Sequence, residues 1–257
     1  MEELAALQDV AAVAARRAGA ILLERFDVTP RDVRTKTGPH DLVSAADLDA
    51  ERELRAELAS ACPGDGVLGE EEGETASRSG RRWVIDPLDG TWNFLHGIPH
   101  WCVSVACERG SEGLVGVVYD PLRDECFGAV RGGGASLDGA PLQGPPSTAI
   151  EDITLGGEFS ARTTTDANAA ARLVLAVGQA RSYGSAALDM AWLAAGRLHA
   201  VYNTRHPSHW DLAAGTVLCH EVGVTVRRVG DEAAPEPRLL AAPPPLLSRL
   251  LEVLGGD

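Results

Sequence analysis

The segment Trp83-Val84-Ile85-Asp86-Pro87-Leu88-Asp89-Gly90-Thr91 constrains this chain more than any other. Its first three residues read as a short buried strand. Pro87, which fixes its own backbone and donates no hydrogen bond, stops the strand and sets a turn. Asp86 and Asp89 emerge three residues apart, a spacing that can aim both carboxylates at one point beyond the strand end. Carboxylates that close repel each other unless a proton or a divalent cation lies between them. An all-oxygen donor set suits Mg²⁺ or Mn²⁺ rather than zinc. Gly90 lets the backbone approach a ligand, and Thr91 can open a helix whose free N–H groups would hold a phosphate. The same pattern also occurs as an ordinary type I turn, so this segment alone leaves two readings open.

Two other acidic segments bear on the choice. Gly69-Glu70-Glu71-Glu72-Gly73 sets carboxylates in a row between turn residues, by itself a solvated loop. Trp210-Asp211-Leu212-Ala213-Ala214-Gly215 puts a lone acid at the start of a helix of small residues, by itself an N-cap. Around them, Leu4, Leu7, Ala11, Ala15, Ala18, Leu22 and Phe26 mark one face of a helix over 4–26. A second helix spans 46–60, with Leu54 and Leu58 on one face, and the polar stretch between the two reads as a loop or short hairpin. Residues 101–107 and 114–119 are further strands, followed by hairpin signals. After Pro145-Pro146 the pattern alternates: a strand near 153–157, helices at 166–178 and 185–196, a strand at 198–202 and a helix at 211–221. A tail rich in Pro and Ala closes on a short Leu-rich helix. This predicts an α/β protein in two halves: 1–147 with most of the candidate ligands, and 148–257 with Asp211 and a variable loop before it.

Taken in order, Glu70-Glu71, WVIDPLDGTWNF and WDLAAG resemble the signature of the inositol monophosphatase family of metal-dependent phosphomonoesterases. The resemblance runs through nearly the whole chain, by way of DLVSAAD, HGIPHWCVSVAC, GVVYDPLRDECFGA and RSYGSAALDMAWLAAGRLHA. It implies a layered α/β/α/β/α sandwich, a homodimer, and hydrolysis of a small phosphate monoester with two or three Mg²⁺ ions per site, Mn²⁺ being an alternative. Residue by residue, it implies that Glu70, Asp86 and the Leu88 carbonyl hold the ion carrying the attacking water. Asp86, Asp89 and Asp211 hold a second, which meets the leaving oxygen, and a third, weaker ion lies near Glu70. Gly90 and Thr91 give backbone N–H groups to the phosphate, Thr91 and Asp47 take the proton from the water, and Glu71 stands behind Glu70. The physics agrees, because a phosphate dianion enters a nest of carboxylates only together with cations, which also acidify water and neutralise the leaving alkoxide. Attack by water needs no Ser, Cys or His nucleophile.

The substrate side departs from the family. Inositol-specific members place an acid seven positions before the Asp of Trp-Asp; here that position is Thr204, followed by Arg205. This is either a variable, solvent-facing loop or an altered specificity, for an acidic or nucleobase-bearing substrate. Trp92 and Trp101 are core packing or a flat wall for a sugar or base, and Glu158 is a further candidate contact. The substrate reads as a cyclitol, sugar, amino-alcohol or nucleoside phosphate, with a bisphosphate nucleotide or fructose bisphosphate as the alternative. The reading from a different class is a non-catalytic member that binds a ligand or partner. Degenerate members lose a metal carboxylate, and here all are present.

Charge and composition exclude other classes. Lys+Arg 23 against Asp+Glu 37 gives a net charge of −14, which repels nucleic acid and acidic membranes. No stretch approaches the roughly 20 apolar residues of a membrane span. The N-terminus, with acids at its start and Arg16-Arg17 in its middle, is unlike a secretory signal. The cysteines number 5, are scattered and never form a CxxC pair, which fits a reduced, cytoplasmic setting.

Overall fold

The computed structural model describes residues 1–26, 45–146, 148–160, 163–204, 207–230 and 238–255, and the backbone of 33–35 and 42–44. Helix α1 (Glu2–Phe26) buries Leu7, Ala11, Ala14, Ala15, Ala18, Leu22 and Phe26. This is the face its periodicity predicts, with Ala14 added and Leu4 only half-buried. The small strands β1 (Val33–Thr35) and β2 (Leu42–Ser44) pair antiparallel as a hairpin. Helix α2 (Ala45–Ala61) buries Leu54 and Leu58 as expected, and also Asp47 and Glu51.

The first large sheet contains β3 (Gly66–Gly69), β4 (Gly73–Thr75), β5 (Arg81–Asp89) and, after the short helix α3 (Thr91–His96), β6 (Cys102–Arg109). It continues with β7 (Glu112–Asp120), β8 (Glu125–Val130), β9 (Gly134–Leu137) and β10 (Ala140–Pro141). The order is β10-β9-β8-β7-β6-β5-β3-β4. The second sheet is built from β11 (Thr154–Gly156), β12 (Gln179–Arg181), β13 (Ala200–Asn203), β14 (Thr225–Val229) and β15 (Arg238–Ala242), in the order β12-β11-β13-β15-β14. Helices α4 (Thr164–Ala176), α5 (Ala186–Ala194), α6 (His209–Glu221) and α7 (Pro244–Leu254) complete the chain.

Side-chain alternation along the strands sorts these elements into layers. Trp83 and Ile85 of β5 pack against α1 and α2, while Val84 between them faces α5 and α6. In β15, Leu239 and Ala241 meet α5 and α6, while Leu240 and Ala242 meet α4 and α7. The result is the expected sandwich: α1 and α2, the first sheet, α5 and α6, the second sheet, then α4 and α7. Because α5 and α6 lie between two sheets, their buried faces are rich in small residues such as Ala187, Ala191, Ala194 and Ala214.

The structure extends the sequence reading in two places. β15 lies in the stretch read as a tail rich in Pro and Ala, and β14 in residues to which no element was assigned, yet β15 pairs with both β13 and β14 inside the sheet. Its five residues are flanked by prolines, which hid the strand pattern. The strand read over 83–85 runs on to Asp89. Among the described residues no helix is long and apolar enough to cross a membrane.

Candidate active site

β5 does not stop at Pro87; it bulges. Asp86 pairs with Ser104 and Asp89 with Cys102, so β5 spends one more residue there than β6 does. In a regular strand, residues three apart point to opposite faces. The extra residue cancels that alternation and brings both carboxylates to one side. Pro87 is tolerated because a bulge does not ask for its missing N–H. Asp86 Oδ1 closes the bulge by accepting from the Leu88 N–H at 2.9 Å.

Asp211 joins them from the first turn of α6. One of its oxygens accepts from the Ser208 N–H at 2.8 Å as part of a capping box. Oxygens of Asp86, Asp89 and Asp211 lie within 4.8 Å of one another. Asp89 Oδ2 is held by the Ser185 hydroxyl at 2.6 Å and the Ala187 N–H at 2.7 Å, at the start of α5. The two layers thus meet at this cluster.

Glu70 follows β3 and lies outside the group of three, but it is close enough that its charge is the largest repulsion on Asp86. Its loop is fixed by a residue that sequence reasoning missed. Glu51, fully buried in α2, accepts from the Glu71 and Glu72 N–H groups at 2.8 and 2.9 Å and from Arg55 at 2.8 Å. A Cβ at Gly69 would collide with the Glu51 carboxylate and force it to shift. The signal in the sequence was helical spacing: Asp47, Glu51 and Arg55 follow one another at four-residue intervals on α2.

Asp47 is 1% exposed and adds to the repulsion on Asp86, which places it behind the cluster. Thr91 donates its hydroxyl to the Leu88 carbonyl at 3.0 Å. Gly90, with φ +97°, holds the turn before Thr91; a Cβ would approach the His100 carbonyl to 3.0 Å. Burial is the main force on the three clustered acids. It raises Asp86 and Asp211 well above the ordinary aspartate range, with mutual repulsion adding to it. Asp89 is raised to about 6, the donors from Ser185 and Ala187 offsetting part of the effect of burial. Such a set accepts protons or cations and little else.

A cleft of about 480 Å³ opens beside Asp89 and Asp211. Trp92 and Glu158 line it, as does Asn203, which the sequence did not single out. Trp92 is 53% exposed and stacks on His96, whereas Trp101 is fully buried against Phe26 and Phe94, a core residue. Thr204 does not face solvent: it is 1% exposed, and its hydroxyl donates to the Ser160 carbonyl at 2.5 Å. Arg205 lies outside the described residues.

Comparison with known proteins identifies what the chain is similar to. The model of the inositol monophosphatase family matches residues 3–254. The chain is 41% identical over 223 residues to the inositol-1-monophosphatase of Rhizobium meliloti (strain 1021), covering 85% of this chain and 84% of that one. It is 36% identical over 220 residues to the Nus factor SuhB of Escherichia coli (strain K12), covering 84% and 82%. Among solved structures, the extragenic suppressor protein suhB of Bartonella henselae superposes with a TM-score of 0.91 at 33% identity, covering 97% of this chain and 98% of that one.

Proposed function

Because the chain belongs to the inositol monophosphatase family, and is on that membership a phosphoric monoester hydrolase, we propose that it cleaves a small-molecule phosphate monoester by direct attack of water, using Mg²⁺. The observation that carries this reading is the group of three carboxylates, Asp86 buried and Asp89 and Asp211 half-buried, with oxygens within 4.8 Å. Their donor set is all oxygen, and each carboxylate is raised by burial, so a hard divalent cation fits them.

Asp86, Asp89 and Asp211 would hold one ion, and Glu70, Asp86 and the Leu88 carbonyl another, with Mn²⁺ as an alternative. Bound there, divalent ions acidify water and neutralise the charge that develops on the departing alkoxide. The backbone N–H groups of Gly90 and Thr91 hold the phosphate oxygens. The Thr91 hydroxyl turns from the Leu88 carbonyl toward the water and relays its proton, accepting it while passing its own to the Asp47 carboxylate. Glu51 keeps Glu70 in place through the backbone of its loop. The cleft admits an alcohol of sugar, cyclitol, amino-alcohol or nucleoside size, with Trp92 and Glu158 on the substrate side. The cysteines form no disulfide, which suits a cytoplasmic enzyme, and a homodimer is the proposed assembly.

The relative named as a Nus factor supports a second reading, in which the chain acts by binding a partner. The intact set of carboxylates favours catalysis. Phosphate release over a panel of phosphorylated metabolites, with Mg²⁺ and with EDTA, separates the two. A hydrolase releases phosphate from at least one compound only with the ion, whereas a binding protein releases none.

A further inference from the structure

Asp89 is gripped from across the molecule. Both donors to its Oδ2, the Ser185 hydroxyl and the Ala187 N–H, come from a segment 96 and 98 residues further on. A serine oxygen has one proton to give and lone pairs to receive. The Leu188 N–H donates into the Ser185 oxygen at 3.4 Å, the N-cap contact of α5, the Cys102 sulfur lies 3.6 Å away, and the proton of Ser185 goes to the much nearer Asp89 oxygen at 2.6 Å. Ser185 is 2% exposed, set in the wall of the cleft.

We infer that Ser185 is a positioning residue for the metal site: with the Ala187 N–H it fixes the rotation of the Asp89 carboxylate and leaves Oδ1 for the cation. This rests on the phosphatase reading above. An aspartate at the end of a bulged strand has two free torsions, and a ligand that swings must be ordered when the cation binds. Two donors on one oxygen remove that freedom beforehand. They also tie ligand geometry to the seating of α5 on the first sheet, because the clamp closes only when the two layers are in register. Groups that orient a metal ligand in this way are commonly worth about 10- to 100-fold in metal affinity.

The test is Mn²⁺ titration of the metal-stripped full chain, without substrate, followed by calorimetry, alongside thermal melts. Ser185→Ala and Ser185→Gly should both bind Mn²⁺ about 10- to 100-fold more weakly than wild type, and Ser185→Thr, which keeps the hydroxyl, should bind close to wild type. The two weakened variants separate the clamp from the cap, because glycine preserves N-cap stability far better than alanine. Equal weakening despite unequal melting supports the clamp. Wild-type affinity in Ser185→Gly, with loss only in the less stable Ser185→Ala, overturns it, as does failure of a folded Ser185→Thr to bind. Wild type that binds no Mn²⁺ would instead overturn the metal reading itself, and this inference with it.

Discussion

The Thr91 hydroxyl and the Asp47 carboxylate carry the proton-transfer part of the account. Thr91→Ala keeps the backbone N–H that meets phosphate and removes only the hydroxyl. It should therefore lower kcat by about 10²–10⁴-fold with little rise in KM. Asp47→Asn should resemble it, and the double variant should be little worse than either single, since groups acting as one unit lose their effect together. Steady-state kinetics of all three checks this; additive losses would mean that the two act separately. Single residues were also where the sequence was most and least legible. The aspartates of the cluster announced themselves by spacing and by turn chemistry. Ser185 and Asn203 did not, since their partners lie far along the chain and leave no local pattern, and Glu51 left only the four-residue spacing it shares with Asp47 and Arg55.

Elements explain why those residues converge. The bulge in β5 turns an i, i+3 pair of aspartates onto one side, although the sequence placed a turn there. The inference about aim was sound, but the cause is an extra residue inside a continuing strand. On the other flank, α2 holds the Glu70 loop through Glu51. Glu51→Ala would leave the Glu71 and Glu72 N–H groups and Arg55 without their acceptor, costing about 1–3 kcal/mol for each buried group left unsatisfied. Melts should show a Tm several degrees lower, and Mg²⁺ titrations a higher concentration for half-maximal activity. An unchanged Mg²⁺ requirement would show that the Glu70 loop does not depend on α2. The same scale accounts for the strands missed in 225–242, because strands of five residues, one of them set between prolines, take their pairing from neighbours rather than from their own pattern.

At the scale of the whole molecule, long helices and several strands were readable from their periodicity, whereas their stacking into a layered sandwich was legible only through the resemblance to the family. The carboxylate cluster then makes stability depend on both pH and metal. Asp89 is raised to about 6 in the folded chain, and Asp86 and Asp211 are raised further above the ordinary range near 4. A raised acid keeps its proton when folded and loses it when unfolded. Its contribution is therefore complete below about pH 4 and disappears as pH rises through the folded value. Metal-stripped protein should accordingly lose stability from pH 5 to pH 8, and the gain in Tm on adding Mg²⁺ should be larger at pH 8, where fewer protons compete with the ion. An equal or smaller gain at pH 8 would contradict the cluster's role.

The most direct measurement is phosphate release from one cleavable monoester by metal-stripped wild type and Asp211→Asn, each titrated with Mg²⁺ after circular dichroism has shown both to be folded. The account predicts no turnover by wild type before Mg²⁺, saturable turnover after it, and a loss of at least about 10²-fold in Asp211→Asn at saturating Mg²⁺. Turnover by stripped wild type, or undiminished turnover by Asp211→Asn, would contradict it.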